Sequence, residues 1–313
     1  MLSVNKRSLE NQPARTPALL TCLLLVLCFA CSPAKTSSPT ATTREIIDDE
    51  GHHLSLPATV DRVVSLAPNL TEIVFAVGGG KTLVGDTTYC DYPAEAKSIE
   101  KVGDTANPSI ERIIALRPQI VLVSTSSQLE VFTQQLKGHD IQVFVTDPRD
   151  LEGVFRSMTK IGEIVGTTNE ANALVAQLRQ RVNLVETAVK GKPKLRIFYQ
   201  LSAEPLYTAG HDSFVNDLFN RAGAESVTAN VPGAWPRYSA ESALAAKLEA
   251  IILPTGGSMG AANSSVVEAL RNSPAVKAGK VYKINDDHLN RPGPRLVDGL
   301  EEMAKALHPD AFK

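Results

Sequence analysis

The sequence predicts an α/β protein of two lobes with one long helix between them, and three observations carry that prediction. Strand and helix signals alternate along most of the chain, the pattern of units built around a mostly parallel sheet. A helix-plus-strand segment occurs twice, as SIERIIALRPQIVLV from Ser109 and as SAESALAAKLEAIIL from Ser239. In each copy a Ser suited to an N-cap stands two residues before a Glu suited to a first turn, where the helix dipole favours negative charge. Finally, residues 168–190 form the longest uninterrupted helical stretch, free of Pro and Gly, and they separate the two runs of alternation.

The elements follow in order. Lys6, Arg7 and Arg15 precede an apolar run over residues 18–30. The run is too short to span a bilayer and suits a signal-peptide core, so residues 1–30 are assigned as a signal peptide. It ends Leu27-Cys28-Phe29-Ala30-Cys31-Ser32, which resembles a lipobox with Cys31 as the cleaved and lipidated residue. Bulky Leu27 disfavours Cys28 in that role, and an ordinary secretion signal is the alternative. Residues 31–43 add a Ser/Thr/Pro/Ala-rich stretch that cannot bury apolar surface and reads as a flexible tether. A first lobe is expected over 44–167. It opens with strands 44–47 and 53–56 around the turn Asp48-Asp49-Glu50-Gly51, followed by a strand at 62–66 and a helix at 69–77 that stops at Gly78-Gly79-Gly80. Strand and helix then alternate through 82–85, 109–116, 119–123, 128–136 and 141–145, with a further helix at 151–165. The long helix of 168–190 carries Leu174, Leu178, Val182, Leu184 and Val185 on an imperfect face and is broken by Gly191-Lys192-Pro193-Lys194. The second lobe, 191–313, starts with a strand at 195–199 and ends in a helix near 296–307. Glu72-Ile73-Val74-Phe75-Ala76-Val77-Gly78 against Asp217-Leu218-Phe219-Asn220-Arg221-Ala222-Gly223 supports an internal duplication.

Composition and motifs exclude more than they assign. At 43% hydrophobic and 21% charged residues, a sizeable core is available, and a formal charge of −2 with no basic stripe argues against a nucleic-acid partner. Of four cysteines, only Cys90 survives cleavage at Cys31 as a thiol, so no disulfide framework is expected; nothing basic adjoins Cys90 to activate it. Gly78-Gly79-Gly80-Lys81-Thr82 is not a phosphate loop, because Phe75 occupies the position of its first glycine and a strand follows it. His52 and His53 fall on opposite faces of a strand and cannot easily share a metal. No nucleophile elbow or Ser/His/Asp set is present, and Asp104, Asp286 and Asp287 read as turn formers, so no catalytic residue is expected.

The scarce aromatic residues are more informative. Tyr89 and Tyr92 lie in one loop, Tyr207 lies beside Pro205, and the single Trp235 stands with Tyr238 in Val231-Pro232-Gly233-Ala234-Trp235-Pro236-Arg237-Tyr238. Loops at the strand ends of α/β lobes form the usual ligand crevice, and flat aromatic faces give contact area at low entropy cost. For Trp235, core packing and ligand contact both remain open. Glu111 and Glu241 also admit two readings: each stabilises its own helix start, or the pair docks onto a two-fold partner.

The run Arg62-Val63-Val64-Ser65-Leu66-Ala67-Pro68-Asn69-Leu70-Thr71-Glu72 resembles the opening of the helical-backbone metal-chelate class of ABC-transporter solute-binding proteins. So do Tyr89-Cys90-Asp91-Tyr92-Pro93, Lys101-Val102-Gly103 and Ile110-Glu111-Arg112-Ile113. Within that class the chain is most similar to cobalamin binders. The resemblance implies two Rossmann-like lobes bridged by a single long α-helix, with the ligand cleft between them. It implies an extracytoplasmic protein, held at a membrane by its lipid, that captures cobalamin or a related corrinoid and delivers it to a permease dimer with its ATPase subunits. A ferric siderophore or haem is the alternative cargo; a sensor module and an exported hydrolase are the rivals of other classes. Tyr89 and Trp235 match family pocket aromatics, Tyr207 stands where the family has Phe, and Asp287 and Arg291 match polar pocket residues. Further family Trp positions fall at Thr105, Ser124 and His288, and the family's second-lobe disulfide has no counterpart, because Ala222 occupies one of its positions. Glu111 and Glu241 would meet permease arginines. The chain is expected to be a monomer with no metal or cofactor of its own, its bound ligand being a cobalt corrinoid.

Overall fold

The computed structural model describes residues 43–124, 129–256 and 265–313. The signal peptide, Cys31 and all of the tether but its last residue lie outside the described residues.

The chain enters through a hairpin, β1 (Thr43–Ile47) against β2 (His53–Pro57), with Ile46 opposite Leu54. The side chain of Asp48 organises the turn, accepting hydrogen bonds from the backbone of Glu50 (3.0 Å) and His52 (2.8 Å). A four-stranded parallel sheet follows, from β3 (Val63–Ser65), β4 (Leu83–Gly85), β5 (Ile120–Ser124) and β6 (Gln142–Thr146), in the order β4-β3-β5-β6. Its helices are α1 (Pro68–Ala76), α2 (Ile110–Leu116), α3 (Leu129–Lys137) and α4 (Leu151–Ile164). After α5 (Thr168–Val189) a second parallel sheet forms from β7 (Leu195–Tyr199), β10 (Ala224–Ser226), β11 (Ala250–Thr255) and β12 (Val281–Asn285), in the order β10-β7-β11-β12. A small hairpin, β8 (Ser202–Ala203) with β9 (Leu206–Tyr207), is inserted after its first strand. The helices of this lobe are α6 (Val215–Arg221), α7 (Ala240–Ala245), α8 (Pro274–Lys277), α9 (Asp286–Leu289) and α10 (Leu296–Leu307).

Both sheets order their strands second, first, third, fourth, so the duplication suggested by sequence is a duplication of topology. The matched segments fall on equivalent elements. The Ser109 hydroxyl caps α2 by accepting from Arg112 N, and the Ser239 hydroxyl caps α7 by accepting from Ser242 N. Just past these helices the chain turns through left-handed residues, Arg117 (φ 46°) and Lys247 (φ 53°), before β5 and β11. The second match holds as well: α1 and α6 are followed by Gly78 (φ 86°) and Gly223 (φ 76°), a conformation that a Cβ disfavours.

Packing explains why the lobes stay together. Two apolar clusters lie within single lobes, one around Ile113, Val121 and Leu136 and one around Phe198, Ile251 and Leu270. The third is shared: it runs from Leu56 and Leu70 through Phe155 and Met158 to Leu178, Val182, Phe219 and Leu300. Helix α5 sits within it, against α4 on one side and α6 and α10 on the other. Its buried stripe is Ala171, Val175, Leu178, Val182, Val185 and Val189, a spacing that keeps to one helix face. Leu184 falls off the stripe and is 65% exposed, which is why the sequence pattern looked imperfect. Ion pairs pin α5 to both lobes: Arg179 to Glu152 (2.5 Å), and Arg181 to Asp298 (2.6 Å) and Glu301 (2.8 Å).

Candidate functional site

The C-terminal ends of the parallel strands in the two lobes face one another, and a cleft of about 710 Å³ lies between them. From the first lobe, Ala67, Pro68 and Asn69 follow β3, Tyr89 and Thr105 follow β4, Ser124 ends β5, and Asp147 to Arg149 follow β6. From the second lobe come Asp212 to Phe214, Ala234 and Trp235, and the segment around Asp287 and Arg291. This is the position at which open parallel sheets bind ligands, because the strand-to-helix loops converge there.

Two expected aromatics reach the cleft. Tyr89 is 52% exposed in it. Trp235 is half-buried and braced edge-on by Phe214, with ring centroids 6.0 Å apart and planes at 82°. Phe214 was not singled out in the sequence, although it lies in the loop that enters α6. Tyr207 is not brought to the cleft: it sits on β9, bridged to Arg237, and does not line the cavity. Thr105 and Ser124, at family Trp positions, do line it. His288 does not line it, and its Nδ1 lies 2.8 Å from a Glu302 oxygen.

Asp287 and Arg291 line the cleft, but their charges are already engaged in a network that joins the lobes. Arg291 Nη1 donates to Glu72 (3.1 Å) and to Asp91 (2.8 Å), while its Nε lies 3.0 Å from Asp287. Arg295, at the start of α10, grips Glu72 in a bidentate pair (2.8 and 2.5 Å). Its guanidinium also lies over the ring of Tyr92, 4.1 Å from the centroid. Glu72 on α1 is 2% exposed, so this is a buried carboxylate that only its two arginines make tolerable. Burial works against the charged form of both arginines, but their carboxylate partners outweigh it and hold both above the ordinary guanidinium value. Burial likewise pushes Asp91 up, and the Arg291 hydrogen bond and charge more than reverse that, leaving the carboxyl below its usual range. Glu72, Asp91 and Arg295 are site residues that sequence reasoning missed, although Glu72 and Asp91 fall within the motifs that carry the family resemblance.

Beneath the Tyr89 loop, Asp86 is fully buried, with Lys101 Nζ 2.7 Å away. Burial raises its carboxyl to about 6 despite that partner. Cys90 is buried between the hydroxyls of Thr71 and Thr87, both at 3.2 Å, and burial pushes its thiol up, so it is an inert packing residue. Among the described residues, no group of three or more His, Cys, Asp or Glu could hold a metal ion. Glu111 and Glu241 stand exposed in the first turns of α2 and α7, outside the cleft lining, and neither joins an ion pair among the described residues.

Comparison with known proteins agrees with this architecture. The periplasmic binding protein family model matches residues 63–288. An uncharacterised ABC transporter substrate-binding lipoprotein, YvrC, of Bacillus subtilis is 33% identical over 275 residues, covering 85% of this chain and 86% of that protein. A vitamin B12-binding protein of Photorhabdus laumondii is 30% identical over 257 residues, covering 81% of this chain and 90% of its own length. Among solved structures, the periplasmic vitamin B12 binding protein BtuF of Vibrio cholerae superposes with a TM-score of 0.72 at 26% identity, over 81% of this chain and 98% of that one. A periplasmic haem binding protein from Pseudomonas aeruginosa gives 0.70 at 26% identity, over 80% and 93%. Two lobes of identical topology, a shared core and a cleft at their facing strand ends, with this breadth of similarity, place the chain in the periplasmic binding protein family, the solute-binding components of ABC importers, which bind and do not catalyse.

Proposed function

We propose that the protein captures cobalamin or a close corrinoid in the interlobe cleft and presents it to a permease dimer with its ATPase subunits. The observation that carries this reading is the cleft wall itself. Tyr89 from the first lobe and Trp235, braced by Phe214, from the second offer flat apolar faces to one space, as a large rigid macrocycle requires. Several relatives of similar length are vitamin B12-binding proteins, which supports the same cargo. Cys31 would carry the lipid, and residues 31–43 would tether the binding domain to a membrane. Glu111 and Glu241, at matched positions on the two lobes, would meet arginines of the two permease subunits. Tyr207, lying outside the cavity, is left with no ligand role in this reading.

Haem is the second reading. A phenol exposed in the cleft favours it, since a tyrosine oxygen is one of the side-chain groups that ligate haem iron, and the similarity to a haem-binding structure supports it. The two are separated by incubating the purified domain, from Thr43 onward, with cyanocobalamin or with haemin, removing free ligand by gel filtration and recording the visible spectrum. Co-elution of the corrin spectrum is the expected outcome; co-elution of haem alone assigns the cleft to the other macrocycle.

A further inference from the structure

The loop between β4 and α2 is fastened at two places that belong to different lobes. Its root is held by the first lobe: Lys101 Nζ donates to Asp86 Oδ1 (2.7 Å) and to the carbonyls of Cys90 (3.2 Å) and Ala96 (2.9 Å). One residue beyond Cys90 the attachment changes. Asp91 pairs with Arg291 at 2.8 Å and the ring of Tyr92 lies under Arg295, both arginines belonging to the second lobe. Tyr89, which faces the cleft, stands two residues before that change.

We infer that Asp91 is a positioning residue for the ligand wall: by tying the Tyr89 loop to Arg291 it makes separation of the lobes and displacement of Tyr89 one event. The members of the network differ in how firmly they are held. The Glu72 side chain is 2% exposed and takes both arginines, whereas that of Asp91 is 48% exposed, so water competes for it. A force parting the lobes therefore breaks Asp91–Arg291 before Glu72–Arg295, and the loop that carries Tyr89 is then held to the second lobe only through the ring of Tyr92, while the core beneath it is still intact. A partner that only pries the lobes slightly apart would thus open the ligand's aromatic wall. Removing Asp91 leaves Arg291 paired with Glu72 and Asp287, so the fold is retained.

The test uses hydrogen exchange on the ligand-free domain. The amides of Thr88 and Cys90, bonded to Gly103 O and Thr87 O, report the loop, and those of α1 and α5 report the global fold. Asp91→Ala should speed exchange at Thr88 and Cys90 by about tenfold or more while α1 and α5 stay unchanged, the mark of a local opening; Asp91→Glu should restore most of the protection. Unchanged loop exchange, an equal rise in α1 and α5, or no recovery in Asp91→Glu overturns the inference. The coupling to the ligand rests on the proposed function and is read separately, as dissociation of cyanocobalamin, expected to be about tenfold faster in Asp91→Ala. An unchanged dissociation rate refutes the coupling. Failure of the unmodified domain to bind cyanocobalamin refutes the cargo, and loop exchange then decides the role of Asp91 alone.

Discussion

Asp86 has no solvent exposure, and only its Oδ1 has a hydrogen-bond partner among the described residues. Desolvation lifts the carboxyl from 3.8 to about 6, against the pull of Lys101. A folded value above the unfolded one means that folding takes up a proton. The stability this group supplies is full below about pH 4 and is lost as pH rises through about 6. Asp86→Asn lacks that titration. The stability of the natural protein relative to Asp86→Asn should therefore fall by about 2 kcal/mol between about pH 4 and pH 7, read by urea unfolding at both; a flat difference would show that Lys101 fully compensates the burial. This residue was not legible in the sequence, where Asp86 is one more loop carboxylate. Tyr89 and Trp235 were legible because an aromatic between a strand and a helix has few places to go. The commitment of Arg291 was not, since its partners Asp91 and Glu72 lie 200 and 219 residues away and no local pattern links them. Tyr207 was misleading for the opposite reason: its neighbour Pro205 signals a loop, but the loop is a hairpin whose second strand lies off the cavity.

At the scale of elements, local periodicity carried most of the fold. The strand and helix positions follow from alternation and capping residues, and the repeat from Ser109 to Ser239 marked equivalent helices before their topology was known. Helix α5 shows where the pattern fell short. Leu178 and Leu184 look alike in sequence, yet Leu178 is buried in the core shared by both lobes and Leu184 faces solvent. Leu178→Ala should cost about 2–5 kcal/mol in denaturant unfolding, from lost burial and the cavity left behind. Leu184→Ala should stay within about 0.5 kcal/mol of the natural protein. Equal losses at the two positions would mean that α5 is not the element that joins the lobes.

At the scale of the whole molecule, the shared core, the α5 ion pairs and the Glu72–Arg295 clamp favour a cleft that is largely formed before ligand arrives, with small motions around it. Glu111 and Glu241 extend the two-fold character of the chain to its surface. Glu111→Arg with Glu241→Arg should abolish uptake in cells while ligand affinity is unchanged, and one reversal alone should weaken docking by about 2–5 kcal/mol. Normal uptake by the double variant would return both residues to the role of first-turn carboxylates, worth about 0.3–1 kcal/mol each to their helices. The central claim, that a corrinoid occupies the interlobe cleft against its aromatic wall, has a built-in reporter. Trp235 is the only tryptophan in the sequence, and it lines that cleft. Titration with cyanocobalamin, whose corrin absorbs where tryptophan emits, should quench the fluorescence saturably at one ligand per chain, with a matching calorimetric isotherm. Full fluorescence in the presence of calorimetric binding would place the ligand elsewhere, and the absence of both signals would contradict the corrinoid assignment.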